Sequence, residues 1–160
     1  MPDSIQEQIV KKIGTALANI AVASGQNNTI ASVQRLEEQG VNLSVVPTIM
    51  LKEGDTTVEL AESCFPHVRK RMELLAVAIT RQDESATSID TRSGGEQLNS
   101  LVADIEWVLA NNRTWDGLAM QTSPPDYLSV EMDATTPHLA RAVRFEVLYE
   151  HLRTDPYSQG

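Results

Sequence analysis

Between Val143 and Glu150 the chain alternates: Val143, Phe145, Val147 and Tyr149 fall on one side of an extended backbone, and Arg144, Glu146 and Glu150 on the other. A period of two marks a strand with one apolar face, so this segment requires a sheet that is covered on one side and wet, or bonded to a partner, on the other. What covers it must come from elsewhere in the same 160 residues. That length suits one domain with a real core and is cramped for two.

Two segments have the periodicity to provide the cover. Ile5, Ile9, Ile13, Leu17 and Ile20 recur at helical spacing, widened by Val10 and Ala16. Ser4 and Glu7 have capping-box spacing at the start, and Ser24 with Gly25 is a natural end. Leu98, Leu101, Val102, Ile105, Val108 and Leu109 repeat the pattern, opened by Ser93 and Glu96 and closed by Asn111 and Asn112. Asn tolerates the left-handed backbone that a helix end often needs.

The other strands are read less directly. Arg69–Thr80 suits helix and strand alike by propensity, but period two puts Met72, Leu74, Ala76 and Ala78 on one side and Leu75, Val77 and Ile79 on the other, as in a central strand. Leu43–Leu51 is a nearly continuous apolar run, with Pro47 placing it near an edge or marking where the strand proper begins. Glu53, Gly54 and Asp55 read as a turn, and Thr29–Leu36 and Leu118–Thr122 as short strands. Leu128, Val130 and Met132 alternate with Ser129 and Glu131, after a turn at Pro124, Pro125 and Asp126. Residues 82–95 form a long polar loop in which Ile89 is the one sizeable apolar side chain; Gly94 and Gly95 read as its hinge to the second helix. The expected fold is a single α/β (α+β) domain over residues 1–160: a mixed, largely antiparallel sheet of about four to six strands, two amphipathic helices packed on it, and a C-terminal tail from 152 to 160.

Charge narrows the function classes. Lys and Arg number 13 against 22 Asp and Glu, a net charge of −9, which argues against gripping nucleic acid through phosphates. The acidity is uneven: residues 1–80 hold 7 cations and 9 anions, net −2, and residues 81–160 hold 6 and 13, net −7. Cys64 is the sole cysteine, so no internal disulfide forms and a reducing cytoplasm is the expected setting. The N-terminus carries no signal-peptide pattern, and no apolar run is long enough to span a membrane.

No catalytic constellation stands out. His67, His138 and His151 lie on different elements, and Cys64 with His67 lacks the further ligands of a metal site. Neither a nucleophile elbow nor a phosphate or dinucleotide glycine loop occurs, so no catalytic, cofactor or metal residue is assigned. Asp104 and Glu106, two apart on a helix, cannot face each other and read as a solvated face. Arg69, Lys70 and Arg71 read as a solvated strand end rather than a phosphate site. Trp107 lies off the apolar stripe of its helix, either as a core flank or as an interface anchor, whereas Trp115 reads as a plug for the end of the core.

The opening helix Ser4-Ile5-Gln6-Glu7-Gln8-Ile9-Val10, the passage Leu101–Leu109 with Gly117-Leu118-Ala119 beyond it, and the closing strand Phe145–Tyr149 running into Arg153-Thr154-Asp155-Pro156 together resemble the tail terminator, or tail completion, proteins of long-tailed bacteriophages. The resemblance rests on pattern and order over most of the chain. It implies a non-enzymatic virion protein that assembles in the host cytoplasm as a homo-hexameric ring, caps the tail tube, ends its polymerisation, and meets the neck or head-completion protein. Genomic DNA would pass through the ring without specific binding, and no cofactor or membrane is involved. Such a family transfers regions, not catalytic residues. The polar loop, with Asp83, Glu84, Ser85, Asp90 and Arg92, Trp107 on the second helix, and Asp155, Pro156 and Tyr157 in the tail are the expected contact residues, the loop and tail ordering on meeting the tube, the neck or a neighbouring subunit. A head-to-tail connector or neck adaptor is the alternative within the class, and a small cytoplasmic enzyme with a dispersed site the alternative outside it.

Overall fold

In a computed structural model, which describes residues 2–36, 40, 42–60, 65–81, 93–132 and 135–159, the expected α+β architecture is present: two helices on a six-stranded, mostly antiparallel mixed sheet. The two longest strands, β3 (His67–Arg81) and β6 (His138–Leu152), pair antiparallel along their whole length, from His67 opposite Leu152 to Arg81 opposite His138. On the outer side of β3 lies β2 (Thr48–Val58), antiparallel, and then β1 (Ser32–Arg35), which runs parallel to β2 at one edge. Two short strands, β4 (Gln121–Thr122) and β5 (Asp126–Ser129), line the other side of β6.

Both helices, α1 (Ile5–Ala18) and α2 (Gly94–Asn111), pack on the same face. The side chains beneath them are those the period-two readings place there. Met72, Leu74, Ala76 and Ala78 from β3 are fully buried, as are Val143, Phe145, Val147 and Tyr149 from β6. They meet Ile9, Ile13 and Leu17 of α1 and Leu101, Ile105 and Val108 of α2 in one core. Thr80 fixes where α2 begins, because its Oγ1 donates to the Gly94 carbonyl at 3.1 Å. Both N-caps form: Ser4 accepts from the Glu7 amide, and Ser93 and Glu96 complete a reciprocal capping box.

Several local readings are corrected. Helix α1 stops at Ala18, six residues short of Ser24; the chain then turns so that Ile20 stays in the core and its carbonyl accepts from Ile30 N at 3.1 Å. Gly25, at φ 90°, terminates a separate 3-10 turn, Val22–Ser24, instead. Helix α2 stops where expected, at Asn111 with Asn112 as its C-cap, but Asn112 is not left-handed, and the positive φ values fall later, at Trp115, Asp116 and Gly117. Gly94 and Gly95 are the first turn of α2 rather than a hinge before it.

Glu53, Gly54 and Asp55 do not turn the chain. They lie inside β2, where the register slips by one residue between Glu53 and Thr56. A Cβ at Gly54 would sit 2.9 Å from Glu73 Oε1 and 3.2 Å from Glu73 Cβ, so the glycine serves a bulge pressed against β3. Pro47 ends immediately before β2, as one of its two readings requires. Pro124 and Pro125 do not make a hairpin turn; they interrupt one edge line, because β4 and β5 follow each other along the same side of β6. The expected strand at 128–132 is shifted to Asp126–Ser129, and Val130 leaves the ladder to pack with Val77, Ile79 and Ala142 on the helix-free face.

Candidate functional interface

The sheet face without helices divides in two. At one end Val77, Ile79 and Ala142 are covered by Leu43, Val46 and Val130 from the connections. At the other end stands a ladder of ion pairs. Arg69 donates to Glu150 at 2.7 Å, Arg71 reaches Glu59 at 2.5 Å and Glu146 at 2.9 Å, and Arg144 reaches Asp126 at 3.1 Å. The two carboxylates beside Arg71 hold its guanidinium above the usual range, the Glu146 hydrogen bond contributing most. The basic run at 69–71 is thus split: Arg69 and Arg71 are both engaged by glutamates on this face, while Lys70 sits at an alternate position of the strand. That leaves no cation cluster aimed at a phosphate.

The expected contact residues do not share one site. Asp83, Glu84, Ser85, Asp90 and Arg92 lie outside the described residues, as does Cys64. Trp107 is 53% exposed on α2, which removes the core-flank reading and leaves a large aromatic facing outward. Trp115 plugs the core as expected: it is buried, and its indole Nε1 donates to Thr122 Oγ1 at 2.8 Å. The C-terminal segment is already tied down. Pro156 accepts from Ile5 N at 3.1 Å, Asp155 accepts from the Tyr157 amide and the Ser158 hydroxyl, and Gln159 donates to the Gly117 carbonyl at 2.7 Å. The Ser158 and Tyr157 hydrogen bonds hold the Asp155 carboxyl below its usual range. Residues 155–159 therefore form a bonded turn beside the start of α1, with Tyr157 partly exposed.

Asp104 is the largest departure from the sequence reading. It is 3% exposed, and its carboxylate accepts from the backbone and side-chain amides of both Asn27 and Asn28, at 2.7–3.1 Å. It clasps the turn after α1 to the middle of α2. Burial, reinforced by Glu106 on the neighbouring flank of the helix, pushes the Tyr127 phenol of β5 up to about 12.

Sequence reasoning missed the surfaces made by strand ends. At the β2–β3 end, Val58, Leu60 and Phe65 are exposed, the last two by about four-fifths. At the β5 edge, Tyr127 and Leu128 are exposed by 48% and 38%. At the opposite edge an open groove of about 310 Å³ runs between α1 and β1, floored by Val10, Gly14, Ala18, Val33 and Leu51, with Lys11 and Arg35 at its rim. Gly14 is the only trace of it in the sequence, a residue unfavourable in a helix interior whose missing side chain opens space beside the strand.

Among the described residues no group of three or more His, Cys, Asp or Glu side chains converges, and no helix is long and apolar enough to cross a membrane. His138 Nε2 contacts the Leu43 carbonyl and His151 Nδ1 the Leu152 carbonyl. Compared with protein-family models and with curated proteins, the sequence finds no match.

Proposed function

We propose that this protein is a ring-forming virion component that caps a phage tail tube and joins it to the neck. The observation that carries the reading is the construction of the sheet: helices cover one face, and both lateral edges, β1 on one side and β4–β5 on the other, have no strand partner beyond them among the described residues. A domain with two different open flanks is suited to head-to-tail contact, in which one surface meets a different surface of the next copy and closes into a ring when the rotation allows. The segments carrying the family resemblance also fall on connected elements. The start of α1 bonds to Pro156 and, through Gln6, to the Tyr149 hydroxyl at 2.9 Å, while α2 packs on β6.

In such a ring the acidic second half of the chain gives the DNA passage an anionic wall, which repels phosphate and lets the duplex slide. The test is to measure the mass of the purified protein in solution and to image it alone and with phage tail tubes. The expected result is a ring seated on tube ends. A protein that stays monomeric and never associates with tubes overturns the proposal. Tails isolated from a head-defective infection retain a terminator, whereas a head-bound adaptor is absent from them.

A further inference from the structure

We propose that the β1 edge and the groove beneath α1 receive the β5 edge of a second copy, so that the sheet continues from one subunit into the next. The inference rests on the ring reading and names the two surfaces that join.

Strand direction favours the contact. β1 runs with β2, β2 against β3, β3 against β6, and β6 against β5, so β1 and β5 point in opposite directions within one molecule. Copies related by rotation about an axis along the strands keep those directions, and the new pair is antiparallel, the pairing slightly more stable per residue. The two strands are four residues each.

The faces also agree. Tyr127 pairs with Val143 and Val33 with Ile49, and both partners are buried on the helix side, so Tyr127 and Val33 belong to that same face. A continued sheet therefore brings Tyr127 and the neighbour's Val33 onto the helix side of one seam, at the mouth of the α1–β1 groove, and leaves Leu128 on the helix-free face. This is strand addition at a sheet edge beside a helix: the backbone supplies the hydrogen bonds and the alternate side chains meet along the seam.

Neither flank carries a net charge that opposes the contact: Lys11, Lys12 and Arg35 are balanced within the subunit by Asp3, Asp116, Glu7 and Glu53, and Asp126 by Arg144. Lys11 and Arg35 are engaged within the subunit by Asp3, Glu7 and Glu53, but each has more N–H donors than those contacts use. Asp126 accepts from Arg144 through one oxygen, and its side chain is 70% exposed. The groove and the β5 edge lie on opposite sides of the same sheet, so one subunit cannot fill its own groove with its own β5.

The experiment uses the full chain carrying Cys64→Ser, with Ser32→Cys, Leu128→Cys, or both, treated with a short bismaleimide at protein concentrations up to about 1 mM. The double variant is expected to give a ladder of covalent oligomers, and each single variant none, because unlike positions meet. In parallel, Leu128→Lys, a charge on an already exposed edge position, is expected to weaken association at least tenfold by sedimentation with an unchanged melting temperature. Dimers from a single variant mean a symmetric contact and overturn the inference. So does a ring-sized particle whose double variant gives no ladder, an outcome that leaves the ring itself standing. A wild-type chain that neither associates nor cross-links at any concentration also overturns it, and the tail-tube assay then decides the ring reading separately.

Discussion

The two faces of the central strand pair share one backbone and differ in what holds them. On the helix side, β3 and β6 bury Met72, Leu74, Val147 and Phe145 completely beneath α1 and α2. On the other side the same two strands present Arg69, Arg71, Glu146 and Glu150 as partly exposed ion pairs. Apolar burial is roughly proportional to area and insensitive to salt, whereas an exposed ion pair gains little in water and is screened. The contrast teaches that stability is concentrated on the face that the helices cover.

The sharpest way to break this comparison is to truncate the covered face. Phe145→Ala is expected to lower unfolding free energy by about 3–5 kcal/mol, because a large ring leaves a cavity that the helices above cannot fill. Urea unfolding followed by circular dichroism measures it; a loss below about 1 kcal/mol would mean that the helices are loosely seated. Asp104→Ala is next. It leaves amide donors of Asn27 and Asn28 without their acceptor, with an expected cost of about 2–3 kcal/mol and earlier hydrogen exchange at those two amides.

Alkaline titration probes the covered face without mutation. Burial, reinforced by the charge of Glu53, pushes the Tyr149 phenol up to about 12. A folded value above the unfolded one near 10 means that the neutral form is favoured by folding. The associated stability is fully present below pH 10 and is lost as pH rises through 12. Phenolate absorbance should therefore show Tyr149 ionising late, and Tyr149→Phe should remove that component and reduce the sensitivity of folding to pH in this window.

Smaller effects belong to the bare face and the helix exterior. Arg71→Ala is expected to cost no more than about 1 kcal/mol, shrinking further in high salt. Trp107→Ala should change stability by less than about 0.5 kcal/mol, since more than half of the residue is exposed. A melting-temperature change as large as that of Phe145→Ala in either variant would erase the distinction between the faces.

The strand assignments show where sequence was legible. Alternation in β6 and the two-sided pattern of β3 identified both central strands and their buried residues, and the Ser4–Glu7 and Ser93–Glu96 spacings identified the starts of both helices, although only the second pair forms the full reciprocal capping box. Gly54 and Asp55 misled because a glycine beside an acid carries the same local signal in a turn and in a bulge; only the approach of Glu73 from the next strand distinguishes them. Asp104 misled because helical position alone put it off the apolar stripe, and the turn that satisfies it lies 76 residues away at Asn28. For the expected contact residues, helical periodicity left Trp107 undecided, and the tail's polarity concealed its bonds to α1 and Gly117.

By itself the sequence determined the periodic elements, the side of each that is apolar, and a charge balance set against phosphate binding, because these are properties of neighbours along the chain. Tertiary structure decided which strands lie at the edges, that β4 and β5 share one flank of β6, that a groove opens between α1 and β1, and that Asp104 is buried and satisfied. Each of these depends on segments far apart in sequence approaching within hydrogen-bond or van der Waals distance, a relation that no local pattern encodes.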